Sequence, residues 1–163
     1  MQRLNRLLLV VAAALVLTMP QVQTHGADAD AVKKELAKLQ GEWKMVTGVA
    51  DGYPVPDEML SSAKRVCKGD ELTVTIGGEV VMKAKITLDP SKSPKTIDYQ
   101  VIDGPTKGKK HLGIYALDGD TLKSCFAAPD GERPKEFGSK EGDKMTYSVW
   151  KRSAESSKSG EKK

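Results

Sequence analysis

The hydrophobic pattern of this chain changes period once. From Ala31 to Leu39 apolar residues recur at helical spacing, with Val32, Leu36 and Leu39 on one face and Gly41 closing the segment. Beyond Gly41 the period is two. Trp43, Met45 and Thr47 alternate with Lys44 and Val46, and a Pro-rich loop with a helical turn at 54–62 leads to a short strand at 64–68. Gly69-Asp70 turns the chain into Leu72, Val74 and Ile76, and Gly77-Gly78 is a strong two-residue hairpin signal. The cleanest alternation follows: Val80, Met82, Ala84, Ile86 and Leu88 are separated by Val81, Lys83, Lys85 and Thr87. Ile97, Tyr99 and Val101 form the next apolar face, and a Gly- and Lys-rich loop at 103–110 precedes Leu112 to Leu117. Asp118-Gly119-Asp120 turns that segment into Leu122, Ser124 and Phe126, and the last strand carries Met145, Tyr147 and Val149 before Trp150-Lys151-Arg152.

That is eight short strands, nearly all joined by tight turns, behind one short N-terminal helix. Such spacing predicts an all-β sandwich or barrel, and sequential hairpins favour an eight-stranded up-and-down antiparallel barrel. Eight strands close around a filled core or one small ligand.

The first 29 residues read as an export signal. Arg3 and Arg6 precede an unbroken apolar run from Leu7 to Leu17, Pro20 ends it, and Ala27 and Ala29 supply small residues for cleavage near Ala29. A membrane-spanning helix needs about 18 or more apolar residues, and this run is shorter. No stable membrane span is therefore expected after cleavage, and the setting is periplasmic or secreted. Removing 29 of 163 residues leaves about 134, the size of one domain, placed at 30–152.

Charge changes little in this picture. The whole chain is formally +4, but the excess sits at its ends: Lys151, Arg152, Lys158, Lys162 and Lys163 face only Glu155 and Glu161, and the folded part is near neutral. The segment 153–163 reads as a disordered polar tail, and no nucleic-acid surface is expected.

The residues that carry a family resemblance are spread over the domain. Gly41-x-Trp43 after a helical turn, with Arg152 ending the last strand, is similar to the lipocalin and calycin pattern. More specifically, the chain resembles a family of exported planctomycete-type proteins of unknown function, described as lipocalin-like. The shared stretches are Leu39-Gln40-Gly41-Glu42-Trp43, Lys68-Gly69-Asp70, the Gly-Ile-Tyr run from Gly113 to Leu122, Cys125-Phe126-Ala127, and Gly131 to Phe137. Together they cover roughly residues 36–152. The resemblance implies a lipocalin-like barrel in which Gly41, Trp43 and Arg152 are structural, with Trp43 plugging one end and Arg152 packing across it. It implies no activity. Cys67 stands where an apolar residue such as Phe is expected.

Candidate chemistry is sparse. Cys67 and Cys125 fall on strands that are not neighbours in a meander, which favours two separate thiols, although an exported chain with an even cysteine count invites a bridge. His111 is the single histidine of 30–163 and reads as an exposed loop-edge residue, leaving any metal site to one His, one Cys and a carboxylate. Asp118-Gly119-Asp120 reads as a hairpin turn before a calcium loop, and Glu132 with Glu136 as surface charge before an acid–base pair. No catalytic set, metal or cofactor is assigned.

The segment 128–143 is longer than an ordinary hairpin loop. One reading is an Ω-type loop pinned by Phe137, with Arg133 and Glu136 paired to neighbours; the other is a lid in which Arg133 meets a polar head group and Phe137 shields a guest. Met45, Val74, Met82, Ile86, Tyr99 and Phe126 would line a cavity in the carrier reading. The expected function is a carrier or sensor of a small apolar or amphipathic ligand; the alternatives are a filled barrel that binds protein partners, and an enzyme.

Overall fold

The structure, a computed structural model, describes residues 25–154. Residues 1–24 of the expected export segment, and the tail beyond Ala154, lie outside the described residues. The chain runs α1 (His25–Leu39), β1 (Gly41–Ala50), β2 (Tyr53–Pro54), α2 (Asp57–Ser62), β3 (Lys64–Lys68), β4 (Glu71–Ile76), β5 (Glu79–Asp89), β6 (Lys95–Asp103), β7 (Lys110–Asp118), β8 (Thr121–Ala127) and β9 (Met145–Arg152). Each strand from β3 to β9 pairs antiparallel with the next, β1 pairs with β3, and β1 also pairs with β9. The sheet therefore closes into an eight-stranded up-and-down barrel, with the two-residue β2 as an appendage on β1. Gly77 and Gly78 both have positive φ, 60° and 87°, which a two-residue hairpin of this hand requires.

α1 begins at His25, upstream of the cleavage point expected near Ala29. Its apolar face lies beyond that point: Leu39 is fully buried, and Val32 and Leu36 pack on the barrel core. Trp43 fills the barrel end beneath the helix and donates its indole N–H to the Leu39 carbonyl at 2.9 Å. The Arg152 guanidinium lies 4.1 Å over the Trp43 ring and donates to the Gln40 and Lys38 carbonyls at 2.6 and 2.8 Å, satisfying acceptors that the end of α1 leaves open. Glu35 is the buried charge of this end. It takes Lys38 at 2.7 Å, Lys95 at 3.0 Å and the Tyr115 hydroxyl at 3.1 Å. Burial alone would raise its carboxyl, but these partners hold it at about 2. Ser153, assigned from sequence to the tail, is buried and bonds Glu42 through both backbone and side chain.

Three bulges change which residues face inward. In β1 the register shifts between Met45 and Thr47, so Val46 is extra and outward, and Thr47 is exposed instead of continuing the inner face. In β5, Val74 pairs with Met82 but Thr75 with Val80, which leaves Val81 extra and turns Val80 out to solvent. A third shift lies between Lys83 and Ala84, opposite Asp103 and Val101 of β6. β9 is also inverted relative to its sequence reading. Ser148 and Trp150 are the buried positions, while Met145, Tyr147 and Val149 take the other face.

Candidate functional site

Toward the end opposite α1 the barrel is not filled. A cavity of about 360 Å³ lies between the walls, at the low end of the roughly 300–1,000 Å³ typical of small-molecule sites. Met45, Leu72, Val74 and Met82 form its apolar side, and the Tyr99 and Phe126 rings, stacked with centroids 4.2 Å apart, form the facing side. Gly113 permits that stack, because a Cβ there would sit 2.5 Å from the Phe126 ring. The half-buried Ala128 and Pro129 and the exposed Lys144 and Thr146 stand at its rim.

Polar groups are few and grouped. Ser124 and Ser148 share a hydrogen bond at 3.0 Å, and Trp150 donates its indole N–H to Ser148 at 2.8 Å. His111, opposite Tyr99 across the β6–β7 pair, lines the cavity and is not the exposed loop-edge residue the sequence suggested. Its Nδ1 lies 3.3 Å from the Ala127 carbonyl, which can only accept, so Nδ1 carries a proton there; Nε2 lies 3.1 Å from the Thr106 hydroxyl. Burial pushes the Tyr99 phenol up to about 12, against the pull of the nearby Arg65 cation, so it is a neutral hydroxyl across the physiological range.

Of the residues expected to line a cavity, Met45, Val74, Met82, Tyr99 and Phe126 do so. Ile86 is part of the solid core and not of the cavity wall. Arg133 and Phe137 are not brought to it either. The 128–144 segment folds over the outer wall: Arg133 donates to the Asp98 carboxylate and to the Gly113 carbonyl, both at 2.6 Å, and Cys125, on the outer face of β8, donates its thiol to the Gly138 carbonyl at 3.0 Å. Burial alone would raise the Asp98 carboxyl, yet Arg133 and Lys110 hold it below its ordinary value. Only the two ends of this segment touch the cavity, so the lid in which Arg133 meets a head group is replaced by an outer flap. Glu136 pairs with Lys140 at the surface. Gly41, with φ 95°, opens β1 opposite Cys67, and Trp43 and Arg152 hold the closed end.

Sequence reasoning missed Arg65, Ser148 and Trp150 as interior groups, while Ser124 lies on the inward face it gave with Leu122 and Phe126. The signal for Arg65 is present in β3. Lys64, Val66 and Lys68 share one face, and two lysines on that face force it outward, which leaves Arg65 and Cys67 inside. Both are buried, Arg65 at 2% exposure. The two cysteines are free and stand on opposite faces of the wall, Cys67 inside and Cys125 outside.

The fold and this interior define a class: a closed antiparallel barrel with an apolar, partly polar-lined cavity at one end. Among the described residues no group of His, Cys, Asp and Glu is arranged to hold a metal ion, and no helix is long and apolar enough to cross a membrane. Comparison with protein-family models, with curated proteins and with solved structures finds no match for this chain in any of the three.

Proposed function

We propose that this protein is a binding protein, a carrier or sensor, for a small amphipathic molecule whose apolar body occupies the barrel cavity. The observation that carries this is the cavity itself. Close-packed interiors leave few voids larger than a water, whereas here about 360 Å³ stays open beside a core that is fully packed at its other end. Its walls are mostly apolar, with a few grouped polar groups, as ligand sites are. The leader-like run from Leu7 to Leu17 supports a periplasmic or secreted setting for this carrier.

Binding of a neutral apolar fluorophore, N-phenyl-1-naphthylamine, tests the proposal. One equivalent should bind with an emission increase and be displaced by decanol. A Val74→Trp variant, which places a large ring in the cavity wall, should lose that binding while keeping its fold by circular dichroism. Wild-type protein that neither brightens the probe nor releases a small molecule on denaturation in native mass spectrometry would show a filled barrel.

A further inference from the structure

Arg65 is a cation without a counter-charge in the middle of this barrel. It is 2% exposed, and none of the ion pairs among the described residues includes it. Its Nη2 reaches the Cys67 sulfur at 3.5 Å, a weak acceptor, the Tyr99 hydroxyl is its other side-chain partner, and its Nε–H has no partner at all. A buried guanidinium ordinarily finds a carboxylate or a set of carbonyls, because an unpaired buried charge costs several kcal/mol. The closed end of this same barrel follows that rule, since Arg152 there bonds two carbonyls and Asp120.

The surroundings of Arg65 point toward the cavity. Its Cζ lies 5.6 Å from the Trp150 ring centroid, and Trp150 lines the cavity. It pairs across the sheet with Val74, another lining residue. The Tyr99 hydroxyl, on a third lining residue, interacts with it as well. Arg65 therefore sits behind the cavity floor with donors to spare, beside a phenol that can donate too.

We infer that the ligand carries a carboxylate, which docks against the Arg65 guanidinium and the Tyr99 hydroxyl while its alkyl or aryl body fills the space between Met45, Met82 and Phe126. This rests on the cavity being a ligand site and adds the chemical class of the ligand. The size of the cavity selects a short or medium chain, and the planar fork of the guanidinium suits a carboxylate held at two oxygens.

The test compares decanoate with decanol, which share the body and differ in the head, by displacement of N-phenyl-1-naphthylamine from the full chain. Wild type should prefer decanoate by roughly tenfold to a hundredfold, the size of a buried charge-assisted bond. Arg65→Met should lose that preference and still bind decanol, and Tyr99→Phe should weaken decanoate alone. Equal binding of the two ligands by wild type overturns the carboxylate inference and leaves the cavity reading standing. So does a preference that survives in Arg65→Met. Binding of neither ligand, nor of the probe, overturns both. The wild-type comparison needs no variant, so a misfolded Arg65→Met protein would not rescue the inference.

Discussion

If Arg65 is kept for a ligand, its removal should make the ligand-free protein more stable. The perturbation is Arg65→Met combined with Tyr99→Phe, so that no phenol is left facing an apolar side chain. Methionine is unbranched and adaptable and can occupy much of the arginine volume. The terms lost are the cation over Trp150, worth up to about 2 kcal/mol when desolvated, a weak bond to Cys67, and the Tyr99 contact, whose loss is close to neutral when both partners become apolar. The terms relieved are the unsatisfied Nε–H, about 1–3 kcal/mol, and the desolvation of the ion, several kcal/mol. The balance favours the double variant by about 1–3 kcal/mol, within the range seen when buried ionic groups give way to apolar ones. Urea unfolding of protein that has been denatured and refolded, which strips any bound molecule, measures this directly. In thermal melts the same change is a rise of roughly 3–6 °C per kcal/mol for a domain of this size. A double variant that folds but loses 2 kcal/mol or more would refute the reasoning, because Arg65 would then be a stabilising member of the core.

Further outcomes follow from the rest of the barrel. Glu35 is held at about 2 in the folded chain against an ordinary 4.5, so its contribution is full above about pH 4.5 and is lost as pH falls through 2. Melting temperature should therefore fall as pH is lowered through that window, by the equivalent of at most about 3 kcal/mol, and Glu35→Gln should flatten the dependence. Gly113→Ala would place a Cβ 2.5 Å from the Phe126 ring and 2.9 Å from the Cys125 carbonyl; it should cost about 1–3 kcal/mol in urea and weaken N-phenyl-1-naphthylamine binding as the ring is displaced. Arg152→Ala removes the cation over Trp43 and two carbonyl caps of α1, and should cost about 2–3 kcal/mol, with hydrogen exchange rising first in residues 36–43.

The architecture was legible in the sequence because turn chemistry and period two agree along most of the chain. Gly69-Asp70, Gly77-Gly78 and Gly119 end strands where the structure ends them, and Ile97, Tyr99, Leu122 and Phe126 face inward as alternation requires. The phase failed where a bulge intervened: the extra Val46 turns Thr47 outward in β1, and the extra Val81 turns Val80 outward in β5 while Met82 to Leu88 keep the expected phase. It failed in β9 for a different reason. The 128–144 flap covers the outer wall beside Cys125 and Met145, so apolar residues occur on both faces and alternation carries little information there. The cavity wall was largely readable, because five of its residues lie on regular strand positions. The arginine behind its floor was not, because an inward arginine contradicts the very pattern used to find the inside.

The contrast between the interior and near-interior charges bears on function more than any of them alone. Glu35 has three partners, two of them cations, and Arg152 has three hydrogen bonds and an aromatic ring. These satisfied groups all stand at the closed end, under α1, where nothing needs to enter. Arg65, paired with Trp43 on one side and Val74 on the other, stands behind the cavity floor with the Cys67 sulfur, the Tyr99 hydroxyl and a bare N–H. A fold that satisfies its other buried charges through its own backbone and side chains has the means to satisfy this one, for instance by a carboxylate at Val74, its cross-strand partner. That it presents an apolar residue there leaves the arginine available to the inferred carboxylate arriving from outside the chain. The unsatisfied group and the unfilled volume then point the same way, and the proposed ligand, an acid head joined to an apolar body, answers both.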